Sequence, residues 1–259
     1  MGNQFIQSVV EEGVATVTIN HPPANALSSP VMTELAQVFE EMDQRGDVKV
    51  VVFTGAGMFF ITGADIREIL SISSARQGEE LATLGQGIFN KIENLSKPVV
   101  AAINGMCLGG GLELAMACHI RVAGDRVRLG QPEINLGIIP GFGGTQRLSR
   151  LVGKAKATEW ILTGDMINAQ EAKAMGLVDK VVPDGEVLKQ AQGLAKKIAF
   201  KGQVAVRAAL KAINEGMKRS QEEGLKLEAR LFGELCGTQD MKEGLKAFLE
   251  KRQPKFQDK

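Results

Sequence analysis

The six residues Lys49-Val50-Val51-Val52-Phe53-Thr54 restrict the fold more than any other segment. The centre of the run is apolar without interruption, and its valines crowd a helical turn while packing well on a pleated sheet. A membrane span takes about 20 such residues, so a strand is what remains. Because the run does not alternate, that strand must be covered on both faces. The chain is therefore expected to be α/β, with a sheet buried between other layers.

Neighbouring segments fit that frame. Phe5 to Val10 and Val14 to Ile19 alternate on either side of Glu11-Glu12-Gly13, which predicts a β-hairpin. Ser29-Pro30 opens a helix carrying Leu35, Val38, Phe39 and Met42 as far as Arg45-Gly46. A loop from Gly55 to Gly63 leads to a helix opening at Ala64-Asp65. A further helix carries Leu81, Leu84, Ile88, Ile92 and Leu95 until Lys97-Pro98 stops it before a strand from Val99 to Ile103. Strand, strand, helix thus recurs, and residues 1–153 read as a core with ligand-binding loops at strand ends. Past Gly153 the pattern turns helical: Lys154 to Thr163, Ala169 to Met175, Glu186 to Phe200, Val204 to Gly216, Ser220 to Cys236 and Asp240 to Arg252. Residues 154–259 are expected to form a helical region packing on the core or on a neighbouring subunit.

Between these halves, Asn104 to Leu148 sets two glycine runs and two isolated acids in apolar surroundings. Gly109-Gly110-Gly111 stands at the amino end of a short helical phrase, GLELAMAC, where unpaired N–H groups and partial positive charge make an anion site. Glu113 lies one turn beyond Gly110 on the same face. A first-turn acid also has a plainer role, complementing the helix's positive end. Glu133 sits in GQPEINLGIIPG among Ile134, Leu136, Ile138 and Ile139. Desolvation there would raise its pKa toward the range useful for acid or base work, although a solvated loop acid has the same sequence.

Composition excludes several chemistries. With 31 basic and 30 acidic residues, no net field draws in nucleic acid or an anionic membrane. Cys107, Cys118 and Cys236 form no CxxC and leave one thiol over in any disulfide scheme, so a reducing, cytoplasmic setting is expected. The amino terminus has no basic stretch followed by an apolar one, and Gly2 fails as a myristoylation start because Ile6 stands where Ser or Thr is needed. Gly55-Ala56-Gly57 follows a strand but meets Phe60 where a dinucleotide fingerprint needs glycine. Gly105 and Gly110 have Walker spacing but lack the lysine. Two histidines, His21 and His119, make an imidazole-rich metal site or a Ser-His-Asp triad improbable on numbers, and there is no tyrosine. Carboxylates remain as the carriers of protons.

Three phrases in order, FFITGADI at 59–66, AAINGMCLGGGLELAMACHI at 101–120 and GQPEINLGIIPGFGGTQRL at 130–148, resemble the enoyl-CoA hydratase, or crotonase, family. The likeness runs over nearly the whole chain. It implies a spiral of β-β-α units, a helical carboxy-terminal region that builds trimers or dimers of trimers, an acyl-CoA substrate, and no metal or other cofactor. Carried onto this sequence, it makes the backbone N–H groups of Ala64 and Gly110 an oxyanion hole. Glu113 and Glu133 become the two acids that hold one water, the first mainly as base and the second mainly as proton donor. It further implies CoA and substrate contacts from Ala24, Ala26, Ala64, Asp65, Ile66 and Gly141, and from Phe248 and Lys251, often of a neighbouring subunit; a solvated basic helix end is the plainer reading of Lys251. Thr62 departs from the smaller residues usual before the GAD phrase and is expected to narrow the acyl or pantetheine path. An isomerase or other crotonase-type enzyme retaining both acids, or a noncatalytic member that binds RNA or serves as a scaffold, stays open on these residues.

Overall fold

The computed structural model describes residues 4–259; Met1, Gly2 and Asn3, where the amino-terminal signal readings begin, lie outside the described residues. The hairpin forms as expected, with β1 (Ile6–Glu11) antiparallel to β2 (Val14–Ile19). Helix α1 (Ser29–Gln44) follows with Pro30 in its first turn, where a missing N–H costs nothing. Then β3 (Val50–Gly55), β5 (Val99–Ile103) and β7 (Ile120–Gly124) lie parallel, each reached from the one before through a helix. With β10 (Lys180–Val182) they complete a six-stranded sheet in the order β1-β2-β3-β5-β7-β10.

Each of the three parallel strands is followed at once by a three-residue strand that leaves the large sheet for a second one. These are β4 (Phe59–Ile61), β6 (Met106–Leu108) and β8 (Arg128–Gly130), joined by β9 (Met166–Asn168) in the order β4-β6-β8-β9. Helices close each turn: α2 (Ile66–Leu70) and α3 (Ala75–Glu93) after β4, α4 (Gly110–Ala117) after β6, and a 3-10 turn (Pro132–Leu136) with α5 (Gly144–Val152) after β8. The chain thus winds as the expected spiral of strand, strand, helix.

The unbroken apolar runs are explained by two cores. Val51, Phe53, Val99, Ala101 and Ile103 face the main core under α1, α3 and α4. Val50, Val52, Val100 and Ala102 face a second core covered by α8 (Val187–Ala199). That helix presents Val187, Ala191, Ala195 and Ala199 to the sheet, one small residue per turn, which lets its backbone lie close to the strands.

The wholly helical expectation past Gly153 is corrected here. Besides α6 (Lys154–Thr163), α7 (Ala169–Ala174), α9 (Gln203–Gly216), α10 (Gln221–Cys236) and α11 (Gln239–Leu249), the segment supplies β9, antiparallel to β8, and β10, parallel to β7. Among the described residues no helix is long and apolar enough to cross a membrane.

Two side-chain amides, buried Asn25 and half-buried Asn104, lock the loops. Asn25, in the left-handed region at φ 55°, donates through Nδ2 to the carbonyls of Ala56, Phe59 and Phe60, and its Oδ1 accepts from the His21 N–H. Asn104 spans Gly55 and Gly57 in the same way. His119 is a structural bridge. Its Nδ1 accepts from the Val99 N–H, its Nε2 faces the Glu93 carbonyl at 3.1 Å, and burial holds its pKa below the usual value.

Candidate active site

Helix α4 is buried along its whole length, Glu113 included, which is 1% exposed. Its cap is Gly109 at φ 51°, a conformation that side-chain-bearing residues seldom adopt. The turn leaves the Gly110 N–H at the start of the helix, where no carbonyl four residues back can take it. A second loop brings up its neighbour: Leu27 and Ala64 pair as an isolated parallel bridge, with the Leu27 N–H donating to the Gly63 carbonyl and the Asp65 N–H to the Leu27 carbonyl. The Ala64 amide nitrogen lies 3.5 Å from where a Cβ on Gly110 would stand. Among the described residues neither the Ala64 nor the Gly110 N–H has an acceptor, and both residues line a cleft of about 1360 Å³.

Glu113 and Glu133 line the same cleft. Glu113 Oε1 accepts from the N–H groups of Phe142 at 2.8 Å and Gly144 at 2.7 Å, which fixes the carboxylate beside the glycine-rich loop. Burial pushes its pKa up to about 7 and the charge of Glu133 adds to the rise, while the two amides pull the other way. Glu133 stands in the 3-10 turn, closed by Gly137 in the left-handed region. Its Oε1 is 3.0 Å from the position a Cβ on Gly109 would take, and its Oε2 is buried without a hydrogen-bond partner. Burial lifts this carboxyl to about 7 as well. The expected apolar company is only partly there: Ile134 is half-buried, whereas Leu136, Ile138 and Ile139 are exposed and line the cleft, and the acid lies close to the Gly109 backbone.

The other residues singled out in the sequence divide. Ile66 and Gly141 line the cleft beside Ala64. Asp65 caps α2 by accepting from the Arg67 N–H and borders a smaller adjoining pocket. The Ala24 carbonyl accepts from Thr62 Oγ1 at 3.0 Å, and the Ala26 carbonyl is 2.8 Å from His21 Nδ1. Thr62 thus ties the two loops together as well as lining the cleft. Phe248 and Lys251 do not line it. Helix α11 ends at Leu249, two residues before Lys251, which adopts φ 54°, and Phe248 is 81% exposed.

Sequence reasoning passed over Arg147. It is 8% exposed, donates through Nη1 to the Phe142 carbonyl, and pairs with Asn90 and Glu93 at the end of α3. It therefore holds the loop that holds Glu113. Gln131 was passed over too: its Nε2 donates to the Gly109 carbonyl, and its Oε1 is buried without a partner. Neither gave a usable signal: Gln131 is a lone amide beside a proline, and Arg147 lies among Thr145, Gln146, Ser149 and Arg150 as on any solvated helix face.

Arranged in this way, the cleft holds two neighbouring unpaired amides, which suit a developing oxyanion, and two carboxyls near neutrality, a pair in which one can take a proton while the other gives one. Residues 9–259 match the model of the enoyl-CoA hydratase/isomerase family. A Bacillus subtilis protein named probable enoyl-CoA hydratase is 47% identical over 252 residues, covering 97% of this chain and 98% of that protein. The short-chain-enoyl-CoA hydratase of Clostridium acetobutylicum is 46% identical, with 93% of each covered. The crystal structure of an enoyl-CoA hydratase from Bacillus anthracis superposes with a TM-score of 0.95 at 39% identity, covering 99% of this chain and 100% of that one.

Proposed function

This chain belongs to the enoyl-CoA hydratase/isomerase family, and on that premise we propose that it adds water across the 2,3 double bond of 2-enoyl-CoA thioesters to give 3-hydroxyacyl-CoA. The observation that carries this reading is the pair of buried carboxyls, Glu113 and Glu133, lifted to about 7 in the cleft that holds the free amides of Ala64 and Gly110.

In this reading the thioester oxygen accepts from Ala64 and Gly110 N–H. Each donor is worth about 3 to 4 kcal/mol as negative charge grows on that oxygen. Glu113, ionised, takes a proton from water as its oxygen bonds to C3. Glu133, protonated, gives its proton to C2. Glu113 is left protonated and Glu133 ionised, and one proton passing from Glu113 to Glu133 through solvent resets the pair, so atoms balance with one water, no electron transfer and no redox cofactor. The test is hydration of crotonyl-CoA by the purified protein, with 3-enoyl-CoA as a parallel substrate. Turnover of the 3-enoyl thioester alone would replace hydration with isomerisation.

Gly144→Ala probes the geometry. A Cβ there would stand 3.0 Å from Glu113 Oε1 and 2.7 Å from the Pro140 Cβ, so the carboxylate or its loop must move. The expected outcome is a fall in kcat of roughly 100-fold, the cost of misplacing a catalytic group by about 1 Å, and unchanged kcat would show that the Gly144 amide does not set the base.

Ala24, Ala26, Asp65 and Ile66 are assigned to CoA and pantetheine on the family's pattern and Gly141 to holding the water, with Phe248 and Lys251 serving a neighbouring subunit. The helices after Gly153 supply the assembly region, foremost α9 to α11, whose Met217, Phe232, Phe248 and Leu249 are at least 68% exposed on the single chain. Sedimentation is expected to give a trimer or a dimer of trimers, and a monomer at micromolar concentration would overturn this. Three unpaired cysteines, two of them buried, suit a reducing cytoplasm.

A further inference from the structure

The ring of Phe142 lines the cleft beside the paired amides of Ala64 and Gly110. Its own N–H is on Glu113, and its Cδ2 is 3.4 Å from the Cβ position of Gly110. The ring therefore borders both the amide pair and the acid that faces C3. It is 7% exposed and stacks edge-on against Phe89, with 5.7 Å between centroids. On its far side α3 presents Gly85, where a Cβ would fall 2.3 Å from Phe142 Cδ1, so the ring presses directly on helix backbone.

Behind the ring lies a second pocket, walled by Leu27, Met32, Leu84 and Gly85 and sharing Ala64 and Phe142 with the main cleft. Its free volume is about 10 Å³, at the limit of what a single water occupies. Its lining is mostly apolar, with Ser29, Asp65 and Glu68 as the polar exceptions, and the Phe142 ring stands between it and the cleft.

We propose that Phe142 is a plug that sets acyl-chain length: it confines the chain beyond C4, and removing it joins the catalytic cleft to the apolar pocket under α1, α2 and α3. The proposal rests on the reading of this cleft as an acyl-CoA site and deepens it. It differs from a purely steric role for Thr62, whose hydroxyl is spent on the Ala24 carbonyl.

The test measures binding and turnover side by side for wild type, Phe142→Ala, Phe142→Leu and the double variant Phe142→Ala/Gly85→Leu, the last refilling the channel from α3. Calorimetric Kd values for butyryl-CoA and octanoyl-CoA give one ratio, and kcat/KM for crotonyl-CoA and 2-octenoyl-CoA give the other. Each methylene that gains apolar cover strengthens binding roughly fourfold, so four of them have ample range. Phe142→Ala is expected to raise the preference for the eight-carbon chain at least tenfold in both ratios. Phe142→Leu should raise it less, and the refilled double variant should return toward wild type. Ratios within twofold of wild type in the Ala and Leu variants would overturn the proposal, because the chain would then run along the open side of the cleft past Ile138 and Ile139. A wild type that binds both thioesters and hydrates neither would sink the hydratase reading, while the binding ratios would still decide the plug.

Discussion

Glu113→Gln and Glu133→Gln are each expected to lower crotonyl-CoA hydration by roughly 10³- to 10⁴-fold, the upper part of what a positioned acid or base contributes. Glutamine keeps the shape of the side chain, and at position 113 its oxygen still accepts from the Phe142 and Gly144 amides. What is lost is the ability to carry a proton. Acyl-CoA affinity should change only a few-fold, because the amides of Ala64 and Gly110 are untouched. The double variant should be little worse than either single one, since both acids serve one water addition and effects within such a unit do not add. Turnover requires one carboxylate and one carboxylic acid with both groups near 7, so the wild-type rate should fall on either side of neutrality. A variant with near-normal turnover would remove that residue from the mechanism.

The same substitution is expected to stabilise the protein at alkaline pH. Burial raises the Glu113 pKa from 4.5 to about 7, so the folded state holds a proton that the unfolded chain releases. Below pH 4.5 the group is protonated in both states and costs nothing. As pH rises through the folded value, folding must pay for a buried charge, and stability falls by about 3 kcal/mol. Glu113→Gln removes that dependence. The difference in unfolding free energy between variant and wild type should therefore move by about 3 kcal/mol in the variant's favour between pH 4.5 and pH 8, read from urea unfolding at both. A difference that stays flat would mean that the carboxylate is better solvated than its 1% exposure indicates.

How much of this was legible beforehand follows from the length scale of each signal. Val50 to Phe53 and Val99 to Ile103 announce buried strands because short unbroken apolar runs rich in β-branched residues pack best in a sheet covered on both faces. Phe59–Ile61, Met106–Leu108, Arg128–Gly130 and Met166–Asn168 were hidden, since three residues are too few to show a period and glycines flank them. Yet that small sheet brings the GAD loop to the start of α4. Glu113 and Glu133 stood out as acids in apolar company, but only the three ordered phrases made them a pair. Arg147 could not be found this way, because on α5 it reads as one more basic residue on a solvated face. Its burial comes from Asn90 and Glu93, far away in the chain.

The Glu93 backbone is where the mechanical character of the site is decided. Its carbonyl takes the Asn214 amide of α9 at 2.8 Å, and its carboxylate grips Arg147, which grips the Phe142 carbonyl, whose own amide steadies Glu113. Four hydrogen-bonded links thus run from α9 to Glu113. The carboxylate is braced like a cantilever, its stiffness borrowed through the cleft wall from α9, which itself lends Ile213 and Asn214 to the lining. Loosening α9 would slacken Glu113 without changing Glu113, Glu133, Ala64 or Gly110 themselves.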